Sequence, residues 1–181
     1  MSLSEAAQVA DRLPAPWTLE EARAVGGRVR RVVLLKTLWY PEVLDGLEAS
    51  ARAYLERMGL GAEVVETRIV PGAFELPLAA SWAVQGDEAA DFVVALGCIV
   101  KGSTPHFDFV ARAAVEGLLR VSLDSGRPVA LGVLTVDDLP QALERKDKGL
   151  EAAQAAFFMH LGRLRRPEAK ILNAASRPSQ I

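Results

Sequence analysis

The run DFVVALGCIVKGSTPHFDF, residues 91–109, decides the architecture. From Asp91 to Val100 it is almost continuously apolar and rich in β-branched side chains. A strand with one wet face alternates apolar and polar residues; an uninterrupted run is what a strand covered on both faces requires, as in a parallel sheet between two layers of helices. The chain then turns through Lys101, Gly102, Ser103, Thr104 and Pro105 directly into a helix. Ser103 or Thr104 suits the N-cap and Pro105 the first helical position. Val110, Ala113, Ala114, Leu118 and Val121 continue at helical spacing.

Outward from this unit the pattern repeats. VRRVVLLK, residues 29–36, reads as a strand. Pro41 opens a helix with Val43, Leu47, Ala51, Tyr54 and Leu55 on one face, which Gly59 and Gly61 end. AEVVETRIV, residues 62–70, reads as a second strand, followed by a Pro71-Gly72 turn and a helix over 74–85 in which Pro77 is tolerable only in the first turn. RPVALGVL, residues 127–134, is a fourth strand. The rest is helical with a break near residues 146–149, and Leu150, Ala153, Phe157, Leu161 and Leu164 make one apolar face. Strands alternating with helices predict an α/β fold: a doubly wound, flavodoxin-like sheet of four parallel strands with helices on both faces. Residues 1–27, with Pro14, Pro16, Gly26 and Gly27, read as an N-terminal extension or arm; residues 28–166 form the domain, and 167–181 a tail without strong periodicity.

Composition narrows the function. A chain of 181 residues with half of them hydrophobic suits one domain with a sizeable core. The net charge of -2, with both signs interspersed, leaves no basic stripe for nucleic acid. A single cysteine, Cys98, excludes an internal disulfide and a metal-ligand cysteine pair. The first residues lack the pattern of a signal peptide, and no apolar stretch approaches the ~20 residues of a membrane span, so a cytoplasmic setting is expected.

In open α/β sheets ligands bind at the carboxyl ends of the strands. At the third strand end, a helix N-terminus flanked by hydroxyls is a ready anion site, and His106 stands beside it, able to move a proton near neutral pH. An ordinary helix cap and a surface histidine fit the same residues. At the second strand end, Gly72 allows close backbone approach, Phe74 supplies an apolar wall and Glu75 an acceptor for hydroxyls; a core phenylalanine and a first-turn charge fit as well. Trp39, after the first strand, suits either stacking on a planar heterocycle or the core. Asp137 and Asp138 follow the fourth strand as the next helix cap, and this acidic pair does not read as a metal site. Arg145 is a candidate phosphate clamp, with Lys146 and Lys148 close behind. Cys98 reads as a buried structural thiol, and His160, late in the last helix, as a partner of the helix C-terminus.

Three segments together, VPGAFELPLAA, ALGCIVKGSTPHFDFVA and PVALGVLTVDDLPQALER, resemble the lumazine synthase family in content, order and spacing, over about Arg28 to Leu164. The resemblance implies the penultimate step of riboflavin biosynthesis: 5-amino-6-(D-ribitylamino)uracil and 3,4-dihydroxy-2-butanone 4-phosphate condense to 6,7-dimethyl-8-ribityllumazine, with no metal and no organic cofactor. It implies two small-molecule substrates, no nucleic-acid or membrane partner, and pentamers, which in some members form decamers or shells of sixty chains, with active sites between subunits. Trp39, Ala73, Phe74, Glu75, Cys98, Ile99, Val100 and Leu131 match positions around the uracil and its ribityl chain. Gly102, Ser103, Thr104 and Arg145 match phosphate-binding positions, His106 the proton-transfer histidine, and Lys148 a lysine of the last helix.

The chain departs from the family pattern in three places. Leu131 stands where phenylalanine is usual, Lys101 where arginine is common, and the segment between Arg145 and Lys148 is several residues short. Two other readings share the fold. A flavin- or nucleotide-binding module would need a G-x-G-x-x-G after the first strand, and Gly26-Gly27 precede it. A paralogue that binds flavin or forms shells with little turnover is the alternative.

Overall fold

The computed structural model describes residues 18–164. In chain order these form α1 (Leu19–Gly26), β1 (Val32–Thr37), α2 (Pro41–Arg57), β2 (Val65–Val70), a 3₁₀ turn (Ala73–Glu75), α3 (Leu76–Ala83), β3 (Phe92–Val100), α4 (His106–Ser125), β4 (Val129–Val136), α5 (Leu139–Leu143) and α6 (Lys148–Leu164). The four strands are parallel, in the order β2-β1-β3-β4. The predicted doubly wound α/β architecture is therefore present.

The β-strand period of two divides the core between the faces. Val32 and Leu34 of β1, with Phe92, Val94, Leu96 and Cys98 of β3, pack against α2 and α6. Val33, Leu35, Val93, Ala95 and Ile99 point the other way, against α3 and α4. Both central strands are thus buried over nearly their whole length, with Lys36 and Val100 near the carboxyl ends half-buried, which is why their sequences barely alternate. Tyr54, Phe92 and Phe157 fill the α2–α6 side, with ring centroids 6.5 Å apart for Tyr54–Phe157 and 6.3 Å for Phe92–Phe157.

Where α2 meets β2 the core gives way to ions. Glu48 accepts from Lys36 Nζ and Arg52 Nε, both at 2.9 Å, and from Thr67 Oγ1 at 2.6 Å. Burial alone would raise its pKa, but these donors, Thr67 foremost, hold the carboxyl down at about 2.

Several local expectations need correction. The region read as an arm contains a helix: Thr18 and Glu21 form a reciprocal capping box and Ala22 is buried in the core. The signal was present as Thr18-x-x-Glu21. The segment 74–85 is a 3₁₀ turn followed by a short α-helix, with Pro77 in its first turn. Neither Ser103 nor Thr104 caps α4; Pro105 occupies the N-cap position without a side-chain cap, so both hydroxyls stay exposed. Leu164, expected on the apolar face, is exposed at the last residue of α6. His160 is not at the helix terminus but buried in the core, its ring centroid 5.6 Å from that of Phe92. Asp138 does cap α5, accepting from the Gln141 N–H at 2.9 Å. The proposed tail, residues 167–181, lies outside the described residues, as do residues 1–17 of the expected arm.

Candidate active site

After β1 the chain crosses to β2 on one side, then returns past β1 to β3 on the other. This reversal between β1 and β3 leaves a crevice at their carboxyl ends, the place where open α/β sheets take ligands. A cleft of about 710 Å³ lies there, within the range of small-molecule sites. It is lined by Trp39, Ala73, Phe74, Glu75, Cys98, Ile99, Val100, Gly102, Thr104 and His106, all anticipated from the sequence. A second cavity, of about 620 Å³, lies at the opposite strand ends around Ser122, Arg127 and Arg163, away from these residues.

Each wall has a local cause. Trp39 follows β1 and is 67% exposed, and Phe74 is 64% exposed, so neither is a core residue. The indole stands over the β2 turn: a Cβ on Gly72 would sit 3.8 Å from Trp39 Nε1 and 3.1 Å from Glu75 Oε2. Gly72 thus keeps room between the indole edge and a carboxylate. The 3₁₀ turn places Phe74 and Glu75 outward while Ala73 anchors it in the core. Cys98, Ile99 and Val100 form the floor. Burial pushes the Cys98 thiol up to about 11, which leaves it an unreactive apolar lining group.

The far wall is the start of α4. A 20-residue helix begins at His106 with no side-chain cap; the Asp108 and Phe109 N–H groups donate to the Pro105 carbonyl at 3.1 and 3.4 Å, which leaves the N–H groups of its first two residues for an anion. His106 is exposed and lines the cleft beside them. The cleft therefore brings together an aromatic surface, a carboxylate, a helix N-terminus without a side-chain cap and an imidazole.

Sequence reasoning missed Tyr40, Phe107, Phe109 and Val110, which also line the cleft. Tyr40 is the only non-glycine among the described residues with positive φ, at 59°. A residue before proline avoids even the right-handed helical region, so this left-handed turn is strained, and it sits beside Trp39. The FDFV run after His106 was the available signal for Phe107, Phe109 and Val110.

Other anticipated residues do not line this cleft. Ser103 is exposed at its margin. Leu131 pairs with Ala95, five rows before the ladder ends at Val136–Val100, or roughly 16 Å away at about 3.3 Å per residue. It is 48% exposed on the edge strand. Arg145 is also exposed, in the turn between α5 and α6, where its Nη1 donates to the Gln141 carbonyl at 2.7 Å. Lys146 Nζ pairs with Glu42 at 3.1 Å and Lys148 Nζ with Glu151 at 2.6 Å. Among the described residues, Arg145 is thus the cation of this turn without a carboxylate partner. No group of three or more potential metal ligands occurs among the described residues, and no described helix is long and apolar enough to cross a membrane.

Comparison with known proteins places the chain in a family. The sequence profile of the family described as 6,7-dimethyl-8-ribityllumazine synthase matches residues 30–162. Proteins of that name from Leifsonia xyli subsp. xyli and Kineococcus radiotolerans are 45% and 48% identical over 143 and 140 residues, covering 75% and 74% of this chain and 87% and 84% of theirs. One from Kocuria rhizophila is 45% identical over 150 residues, 79% of this chain and 92% of its own. With the profile spanning most of the chain and relatives near half identical across it, this protein belongs to the 6,7-dimethyl-8-ribityllumazine synthase family.

Proposed function

We propose that this chain is the transferase that condenses 5-amino-6-(D-ribitylamino)uracil with 3,4-dihydroxy-2-butanone 4-phosphate, giving 6,7-dimethyl-8-ribityllumazine, phosphate and water. The observation that carries the reading is the convergence of Trp39, Phe74, Glu75 and His106 on one cleft at the β1–β3 switch point of a family member. The uracil stacks on the Trp39 and Phe74 side, and Glu75 accepts from ribityl hydroxyls. The phosphate sits at the start of α4 near Gly102, Ser103 and Thr104. The substrate amine attacks the ketone to form a Schiff base with loss of water. Phosphate then leaves, and ring closure expels a second water. His106 moves protons in these steps; holding two reactive molecules together supplies much of the acceleration.

The cleft is completed by a neighbouring copy in a homo-oligomer whose unit is a pentamer. What supports this is that Arg145 and Leu131 are exposed and outside their own subunit's cleft, while Phe109 at its rim is 71% exposed. A neighbour's Arg145 meets the phosphate and its Leu131 the uracil. Lys148, already paired with Glu151, has the lesser role.

Turnover of both substrates tests the assignment and separates the enzyme from a flavin-binding or shell-forming paralogue. His106→Ala lowers kcat by about 10²-fold or less, the low end for acid–base groups, because these substrates are intrinsically reactive. Trp39→Ala raises KM for the uracil more than for the sugar phosphate. Mixed oligomers of His106→Ala and Arg145→Ala subunits regain activity above the mean of the parents if sites are shared. Activity at that mean, with subunit exchange demonstrated, rejects the shared site.

A further inference from the structure

The turn between α5 and α6 spans only Glu144 to Asp147, and it is fastened along one face of α2. Three α2 residues, one helical turn apart, all meet Lys146. Glu42 pairs with its ammonium at 3.1 Å. Gly46 makes room for its stem, since a Cβ there would lie 2.5 Å from Lys146 Cδ. Ser50 Oγ lies 2.9 Å from the Lys146 carbonyl and 3.0 Å from that of Leu47. Behind the turn, Gly149 lets α6 approach until a Cβ would stand 1.9 Å from the Leu47 carbonyl. The Arg145 carbonyl takes the Lys148 N–H at 3.0 Å, so the next carbonyl, that of Lys146, draws its donor from α2.

We propose that Ser50 is a positioning residue for Arg145: its hydroxyl holds the shortened turn against α2 and thereby sets where the guanidinium meets the phosphate of the butanone substrate. This rests on the reading that Arg145 binds that phosphate. The physical reason is the short connection. With few residues between two helices, the turn has no slack of its own, and a displaced Lys146 carbonyl carries Arg145, one residue away, with it. The Glu42–Lys146 pair is largely exposed and contributes little; the half-buried hydroxyl–carbonyl contact is the anchor.

The test is steady-state kinetics of the intact oligomer for the parent, Ser50→Ala, Arg145→Ala and the double variant, with competition by inorganic phosphate as a second readout. Ser50→Ala raises KM for the butanone phosphate and weakens phosphate inhibition by about threefold to tenfold, the range of one lost hydrogen bond. The KM for the uracil, and kcat, stay within about twofold. In the Arg145→Ala background the Ser50 substitution adds no further selective change, because it acts through Arg145. Ser50→Cys, close in size and a weaker donor, gives a smaller shift of the same selectivity and serves if Ser50→Ala does not assemble. Equal shifts in both KM values, or an undiminished Ser50 effect without Arg145, overturn the inference. So does an Arg145→Ala effect with none from Ser50, which leaves the phosphate reading intact. If Arg145→Ala leaves the butanone phosphate KM unchanged, the phosphate reading itself fails and the inference goes with it.

Discussion

Gly149→Ala puts the α2–α6 contact to a direct test. An added Cβ would lie 1.9 Å from the Leu47 carbonyl oxygen, 2.7 Å from its carbon and 2.6 Å from Ser50 Oγ. To reach even 3.0 Å the two helices must part by about 1.1 Å at this point. The obstacle is helix backbone, which has no rotamer to change. Separation there also loosens Leu47, Tyr54, Ala153 and Phe157, which pack in the same core. Overpacking of this kind costs about 1–3 kcal/mol or more, against a helix-propensity gain of at most about 1 kcal/mol for Gly→Ala. A matched control lies on the same helix: at Gly162 nothing lies within 4 Å of an added Cβ. Gly162→Ala is therefore neutral or stabilising, while Gly149→Ala lowers the melting temperature by about 2–4 °C for each kcal/mol lost. Both are measured by thermal and denaturant unfolding at one fixed subunit concentration, since assembly shifts apparent stability. Gly149→Ala should also raise KM for the butanone phosphate, because it displaces the turn that carries Arg145. Equal stability of the two variants would refute the reasoning, since they differ only in what the new methyl meets.

Two further outcomes follow from ionisation. The Glu48 carboxyl, with a side chain 19% exposed, is held at about 2 in the fold against an ordinary 4.5, so its contribution, on the order of 1–3 kcal/mol, is present above 4.5 and lost as pH falls towards 2. Glu48→Gln should destabilise the protein at neutral pH and flatten the loss of stability across that acid window; the same acid profile in parent and variant would count against the network. Cys98 is 5% exposed with a thiol raised to about 11, so iodoacetamide should label the native protein far more slowly than the unfolded chain, and Cys98→Ala should keep turnover within a few-fold. Rapid native labelling, or lost turnover in an assembled Cys98→Ala protein, would give the thiol a chemical role.

The sequence by itself determined the type of each strand and of the longer helices, because those depend on neighbours along the chain. The unbroken apolar run of β3, the helical spacing of Val43, Leu47, Ala51, Tyr54 and Leu55, and the Pro71-Gly72 turn are all local signals. Parallel strands turn their carboxyl ends the same way, so it also determined which residues can share a site, and Trp39, Phe74, Glu75 and His106 were legible as candidates. Helices were less legible where a cap decides them: α1, read as part of an arm, depends on a two-residue reciprocal contact, and α4 starts without the hydroxyl cap its sequence offers. Only the tertiary structure decided whether Trp39 and Phe74 belong to core or cleft, since exposure depends on what other elements cover. It alone set the order β2-β1-β3-β4, and so the crevice between β1 and β3. It buried His160 against Phe92, 68 residues away in sequence, and tied Ser50 to the carbonyl of Lys146, 96 residues away. Pairings at such separations leave no periodicity in a sequence; they exist only once the sheet has brought α2 and α6 onto the same face.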